Sequence, residues 1–251
     1  MAPIYDAIGL GYARVRQPDV RIAEQLRAGL GNAAPILNVG AGAGSYEPTD
    51  RPVVALEPSS AMIAQRPPGS ASAVRAVAAA LPFPNESVGG CMAILTVHHW
   101  PDPLAGIAEL RRVTSGPVVV LTFDQDVHAQ QWLVSEYLPE MAALDPALPA
   151  PESIAEALGG GSVDVVQVPW DCTDGFCHAW WRRPQAYLNE TVRAAISGIA
   201  RLPATVVADA MMRLRSDIDD GSWAHAHRNL LGEQEIDAGY RMVVSGGGSG
   251  D

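Results

Sequence analysis

The chain has 251 residues, 48% hydrophobic and 18% charged, enough for one substantial core with an appendage and unlike a disordered or fibrous protein. Its net charge is −11 and all 17 basic residues are arginines, unclustered beyond Arg111-Arg112 and Arg182-Arg183, so the footprint of nucleic-acid binding is missing. No apolar run reaches the roughly 18 residues that span a bilayer, and residues 1–17 lack the basic start and apolar stretch of a signal peptide, so a cytoplasmic protein with no membrane partner is expected.

Val20, Ala23, Leu26 and Leu30 recur at helical spacing, and Gly31 closes that helix. Short apolar runs then alternate with helical patterns: 36–39, 53–56, 73–77, 90–95 and 117–123 read as strands. Between them, Ser59 or Ser60 caps a helix containing Met62 and Ile63. Pro103 starts another, with Leu104, Ile107, Leu110 and Val113 on one face. Such alternation argues for βαβ units and a mostly parallel sheet. Further on, 131–141 and 153–158 look helical, and Gly159-Gly160-Gly161 precedes a sixth strand at 163–168.

From Trp170 to Asp237 the rhythm changes to two helices, one with Leu188, Val192, Ala195 and Ile199 on a face, the other with Val207, Met211, Leu214 and Ile218. Residues 238–244 read as a last strand, and 246–251 as a flexible glycine-rich tail. The organisation expected is a core over 1–169, a helical insertion or lid over 170–237, the last core strand over 238–245, and the tail.

Two features carry chemistry. Ile36-Leu37-Asn38-Val39-Gly40-Ala41-Gly42-Ala43-Gly44 is a strand running into a glycine turn, where the backbone can approach a ligand closely. The spacing is G-x-G-x-G rather than the G-x-G-x-x-G of dinucleotide sites, and a chain without lysine cannot supply a Tyr-x-x-x-Lys pair, which disfavours a nicotinamide oxidoreductase. At the end of the second strand stands Glu57, whose carboxylate can accept from two vicinal ribose hydroxyls. The three cysteines are too few for a disulfide framework, and Cys172, Cys177 and His178 are widely spaced with no fourth ligand, so no metal is expected.

With Leu56-Glu57-Pro58-Ser59, Leu81-Pro82-Phe83-Pro84 and His98-His99-Trp100-Pro101-Asp102-Pro103, the glycine segment resembles the motif series of class I S-adenosylmethionine (SAM)-dependent methyltransferases, nearest the ubiquinone and menaquinone biosynthesis group. The resemblance runs from Tyr5 to Phe123. It implies an α/β Rossmann-like fold: a seven-stranded, mostly parallel sheet with a reversed last strand, the helical insertion before it, and SAM above strands one and two. It also implies methyl transfer to a small-molecule acceptor.

Residue by residue, it assigns Gly40, Ala41 and Gly42 to the methionine end, Glu57 to the ribose, Met62 to the adenine, and Asn38, Pro58, Ala78 and Thr96 to further cofactor contacts. Tyr5, Tyr12 and Arg14 match a segment that closes over the site, with Tyr12 on the cofactor and Tyr5 on the acceptor. His99, then His98, are the expected general bases, because an imidazole titrates near neutrality. Trp100 borders the acceptor. In the aromatic-rich segment that follows strand six, Trp181 is expected to stack on it and Asp171 to be an alternative base. Two positions depart from the family pattern: Asn38 replaces an acid, and Val77 replaces an Asp that accepts from the adenine amino group. They favour the alternative of a catalytically silent SAM-binding protein.

Overall fold

The computed structural model describes residues 15–246. Helix α1 (Val20–Leu30) begins on Asp19, whose side chain accepts from the Arg21 N–H, and ends at Gly31 with φ 53°. It buries Ile22, Leu26 and Leu30, whereas Val20 faces solvent, so the apolar stripe is rotated from the expected one. Strands β1 (Ile36–Val39), β2 (Val53–Leu56), β3 (Ser72–Val74), β4 (Gly90–Ile94), β5 (Val118–Phe123) and β6 (Ser162–Val165) join β9 (Tyr240–Ser245) in a seven-stranded sheet of order β3-β2-β1-β4-β5-β9-β6. Strand β9 runs antiparallel to both neighbours, so the last strand is the reversed one, as expected. A separate ribbon pairs β7 (Val168–Pro169) with β8 (Glu235–Ile236).

The period of two along each strand feeds two cores. Leu37, Cys91, Val118 and Val120 face α3 (Pro103–Val113) and α5 (Pro151–Ala157), while Ile36, Met92, Val119 and Leu121 face α1. Pro103 sits at the start of α3, capped by Asp102; Ile107, Leu110 and Val113 are buried, and Leu104 is exposed. Ser59, not Ser60, caps the single turn α2 (Ser60–Ile63).

The expected 131–141 helix is broken up. Helix α4 (Gln125–Gln130) is capped by Asp124, and a wide turn at Leu133–Tyr137 and a tight one at Pro139–Ala143 follow it. The proline at 139 cannot continue a helical hydrogen-bond ladder. The first insertion helix is also divided, into a turn at Pro184–Leu188, α6 (Glu190–Ala194) and α7 (Ser197–Ala200). Asn189 Oδ1 accepts from the Thr191 N–H and restarts the helix, and Ile196 is extended. Helix α8 (Ala204–Asp219) is continuous and α9 (Ser222–Ala226) follows. Trp132, Tyr137 and Met141 from the β5–α5 connection pack with Tyr187, Ile199, Leu214 and Trp223. The helical layer is therefore built from two chain segments, one of them before residue 170.

Candidate active site

Beyond the carboxyl ends of β1, β2 and β4 lies a cavity of about 590 Å³. Its floor is the glycine turn. Gly40 has φ 71°, and a Cβ there would stand 2.1 Å from Thr96 Oγ1, so only glycine lets this strand end and the β4 loop approach so closely. The N–H groups of Gly40 and Ala41 donate to Leu56 O at 2.8 and 3.0 Å, fastening the turn to β2. Glu57 is 5% exposed; its Oε2 accepts from the Gly42 N–H and its Oε1 from the Ser59 N–H, each at 2.8 Å. One carboxylate thus ties the glycine turn to the start of α2, where Met62 is buried beside the cavity.

Asn38 is buried at the end of β1. Its amide donates to Glu47 Oε1 at 3.0 Å, and Glu47 Oε2 pairs with Arg66 Nη2 at 2.6 Å. The negative charge that the motif comparison expects at position 38 is thus carried by Glu47 and engaged by Arg66. Asn38 lines the cavity, and its Oδ1 is buried without a hydrogen-bond partner. A buried acceptor left unsatisfied is costly, and it suits a ligand that brings a donor such as an ammonium group. Val77 is exposed and lines the cavity with Pro58, Ala78 and Ala79.

At the end of β4, Leu95 takes φ 49°, a left-handed conformation unusual for a branched side chain. It turns the chain into the single turn Val97–His99. The rings of His98 and His99 lie 3.8 Å apart between centroids; both line the cavity with Trp100. A smaller chamber of about 60 Å³ adjoins, sharing Arg16, Leu95, His98, Leu144 and Asp145 with the larger cavity. Its other walls include Phe123, His128, Met141, Phe176 and Tyr240.

Residues 37–118 match the family model of the Methyltransferase domain. A solved structure of a putative methyltransferase from an antibiotic biosynthesis pathway of Anabaena variabilis superposes with a TM-score of 0.86 at 29% identity, covering 92% of this chain and 99% of that one. This chain carries a methyltransferase domain and has the fold of the class I SAM-dependent methyltransferases. A Thermotoga maritima SAM-dependent methyltransferase, possibly a histamine N-methyltransferase, shares the fold at 18% identity, with a TM-score of 0.53 over 67% of this chain and 86% of its own. So does the [4+2]-cyclase SpnF, at 14% identity and a TM-score of 0.56 over 97% of this chain and 94% of its own. No curated protein matches the sequence. Among the described residues, no helix of the methyltransferase is long and apolar enough to cross a membrane.

The methyltransferase brings Asn38, Gly40, Ala41, Gly42, Glu57, Pro58, Met62, Ala78, Thr96, His98, His99 and Trp100 to one cavity. Tyr5, Tyr12 and Arg14 lie outside the described residues. Two expectations are corrected. Trp181 is 1% exposed; its indole N–H donates to Val168 O at 3.0 Å, and its carbonyl accepts from Trp132 Nε1 at 2.9 Å, so it holds the insertion to the core instead of facing the cavity. Asp171 sits at the surface, half-exposed and paired with Arg21 at 2.8 Å.

The chemistry of the histidine pair also differs from the expectation. Burial, with Arg201 and Arg16 adding positive charge, pushes His99 down to about 3. His98 is likewise lowered by burial and by His99. Both are neutral at physiological pH, able to accept a hydrogen bond but weak at taking a proton outright.

Motif reading missed four polar residues. Arg16 pairs with the fully buried Asp174, to which Tyr46 Oη also donates at 3.0 Å. Arg201 pairs with Asp145 at 2.7 Å; burial raises the Asp145 carboxyl despite that partner. Arg16, Tyr46, Asp145 and Arg201 all line the larger cavity. Their pairings span long stretches of chain, and only the single aromatic Tyr46, just past the glycine turn, lay within sight of a motif.

Proposed function

We propose that the methyltransferase acts on a small, partly apolar molecule whose reacting end enters the smaller chamber, with SAM held in the larger one. The observation that carries this reading is the wall common to the two cavities, which gives an acceptor room beside a donor. The description of the Anabaena protein as belonging to an antibiotic biosynthesis pathway also supports a small-molecule acceptor.

When bound, SAM supplies a sulfonium methyl group for in-line displacement. Asn38 Oδ1 accepts from the methionine ammonium, and Gly40, Ala41 and Gly42 line the same end. Glu57, whose carboxylate offers about four acceptor positions, takes the ribose hydroxyls. Met62 and Pro58 pack on the adenine, and backbone groups of Ala78 serve in place of the acceptor that Val77 lacks. Thr96 contacts the cofactor from above Gly40. Positioning is the protein's main task, because the leaving group is already activated. His99, with His98 beside it, accepts a hydrogen bond from the acceptor molecule and orients its lone pair; Trp100 closes the wall and excludes water.

Calorimetric titration with S-adenosylhomocysteine tests this. Micromolar or tighter binding is expected, weakened at least about tenfold, or roughly 1.4 kcal/mol, in Glu57→Gln. Full affinity in that variant would refute the ribose placement, and no binding by the parent protein would refute the donor site. Acceptor screening with labelled SAM, using small aromatic and partly apolar molecules against protein and nucleic-acid substrates, tests the acceptor class.

A further inference from the structure

The smaller chamber, where the reading above puts the reacting end of the acceptor, carries a feature to which that reading gives no role. His128 on α4 and the adjacent Cys177 and His178 in the loop after β7 hold their donor atoms within 4.8 Å of one another. His128 Nδ1 and His178 Nε2 stand 2.8 Å apart, and both side chains are buried. Cys172 points elsewhere, its thiol donating to Asp174 O at 3.6 Å. Its place in the ligand set considered from sequence is taken by a histidine 50 residues before His178.

We propose that His128, Cys177 and His178 bind one borderline divalent transition-metal ion, Zn²⁺ in the first instance. Zinc takes nitrogen at about 2.0–2.1 Å and thiolate sulfur at about 2.3 Å, so a tetrahedral ion separates its donors by roughly 3.3–3.7 Å. The histidine nitrogens need to open by about half an ångström, and the widest separation in the group closes by about one, for all three to reach one ion. Two imidazoles and a thiolate match zinc-like ions, whereas Mg²⁺ and Ca²⁺ take oxygen donors, and the set contains none.

The fourth position is open. His128 and Cys177 both line the smaller chamber, leaving room for a water molecule or an acceptor oxygen as the remaining ligand. Three protein ligands plus an exchangeable one is the pattern of reactive rather than purely structural zinc. Binding releases the Cys177 thiol proton to solvent, and each imidazole keeps a proton on its other nitrogen. One thiolate against a dication leaves a single net positive charge, which favours an anionic fourth ligand such as hydroxide or a deprotonated acceptor oxygen.

The test uses the full chain, freed of metal with a chelator and titrated with Co²⁺ as a visible probe. One equivalent is expected to give thiolate-to-cobalt charge-transfer and tetrahedral d–d bands, reversed by Zn²⁺. Cys177→Ser is expected to lose the charge-transfer band and His128→Gln to weaken Co²⁺ binding about 100-fold or more, since loss of a direct ligand exceeds loss of an outer-shell partner. Unchanged S-adenosylhomocysteine affinity in both variants separates loss of metal from loss of fold. No bands in the folded parent protein, or bands unaffected by Cys177→Ser, would leave a hydrogen-bonded histidine pair only and overturn the proposal.

Discussion

The amide of Asn38 donates to Glu47 Oε1 at 3.0 Å, inside the wall of the larger cavity. An acid at position 38 would lose that donor and set a second carboxylate against the first. Asn38→Asp is therefore expected to destabilise the fold by about 1–3 kcal/mol, the cost of breaking a buried pair, which lowers Tm by roughly 2–12 °C at this chain length. Glu47→Gln in the same background should recover part of the loss. Thermal denaturation of the four proteins of this double-mutant cycle reads the coupling, and additive effects would disprove it.

Gly40→Ala is expected to reduce S-adenosylhomocysteine affinity more than tenfold, because the new methyl meets Thr96 and the φ of 71° disfavours any side chain. Thr96→Ala added to it removes the contacts with Oγ1 and Cγ2 but leaves the Thr96 Cβ position 2.8 Å away and a dihedral cost of about 1–2 kcal/mol, so partial recovery is the expected calorimetric result.

Arg21 holds the Asp19 carboxyl down at about 2, from an ordinary value of 3.8. A depressed carboxyl contributes stability above its unfolded pKa and loses it as pH falls through the folded one. With Arg21 partly in solvent, the contribution at pH 7 is about 1–2 kcal/mol. Asp19→Asn keeps a capping oxygen and removes the charge, so its urea midpoint should lie below the parent's at pH 7. The two should converge as pH falls from about 4 toward 2, and a constant gap would contradict the assignment.

His99→Ala should lower kcat about 10–100-fold while leaving S-adenosylhomocysteine affinity intact, since the ring orients the acceptor molecule and does not hold the donor. Because burial and the facing Arg201 and Arg16 keep this imidazole neutral down to about pH 3, no inflection from His99 is expected in kcat between pH 5 and 8. A slope of one near pH 6.5 that vanishes in the variant would show that His99 titrates normally and takes the proton itself.

Trp181→Ala is expected to cost about 3–5 kcal/mol, the usual penalty for emptying a buried aromatic site, with donor affinity retained at a temperature where the variant is folded. Circular dichroism melts with calorimetry separate this from a stacking role, which would instead raise the KM of an identified acceptor without changing Tm.

The parts of the site read correctly as neighbours are those the chain writes locally. Gly40 to Gly42 and Glu57 sit at the ends of adjacent strands, so strand periodicity and the carboxyl-end rule place them together without knowledge of the rest. Cavity walls contributed from a distance carry no such signal: Tyr46 meets Asp174 across 128 residues, and Arg201 meets Asp145 across 56. The aromatic segment after β6 misled for a related reason. A loop rich in tryptophan marks buried apolar area as readily as a ligand surface, and Trp181 takes the first course because its indole N–H finds Val168 O. The acidity expected at position 38 was likewise present nine residues later, in the Glu47 side chain.

Glu57 joins the Gly42 and Ser59 amides through one carboxylate. The loop therefore loses its conformational freedom when the chain folds, not when the nucleoside arrives. Association should then be a single exponential whose rate rises linearly with ligand concentration, without the plateau that a slow loop rearrangement would impose. Cutting either amide contact would convert this ready-made cradle into one assembled by its ligand, with slower capture and a curved concentration dependence.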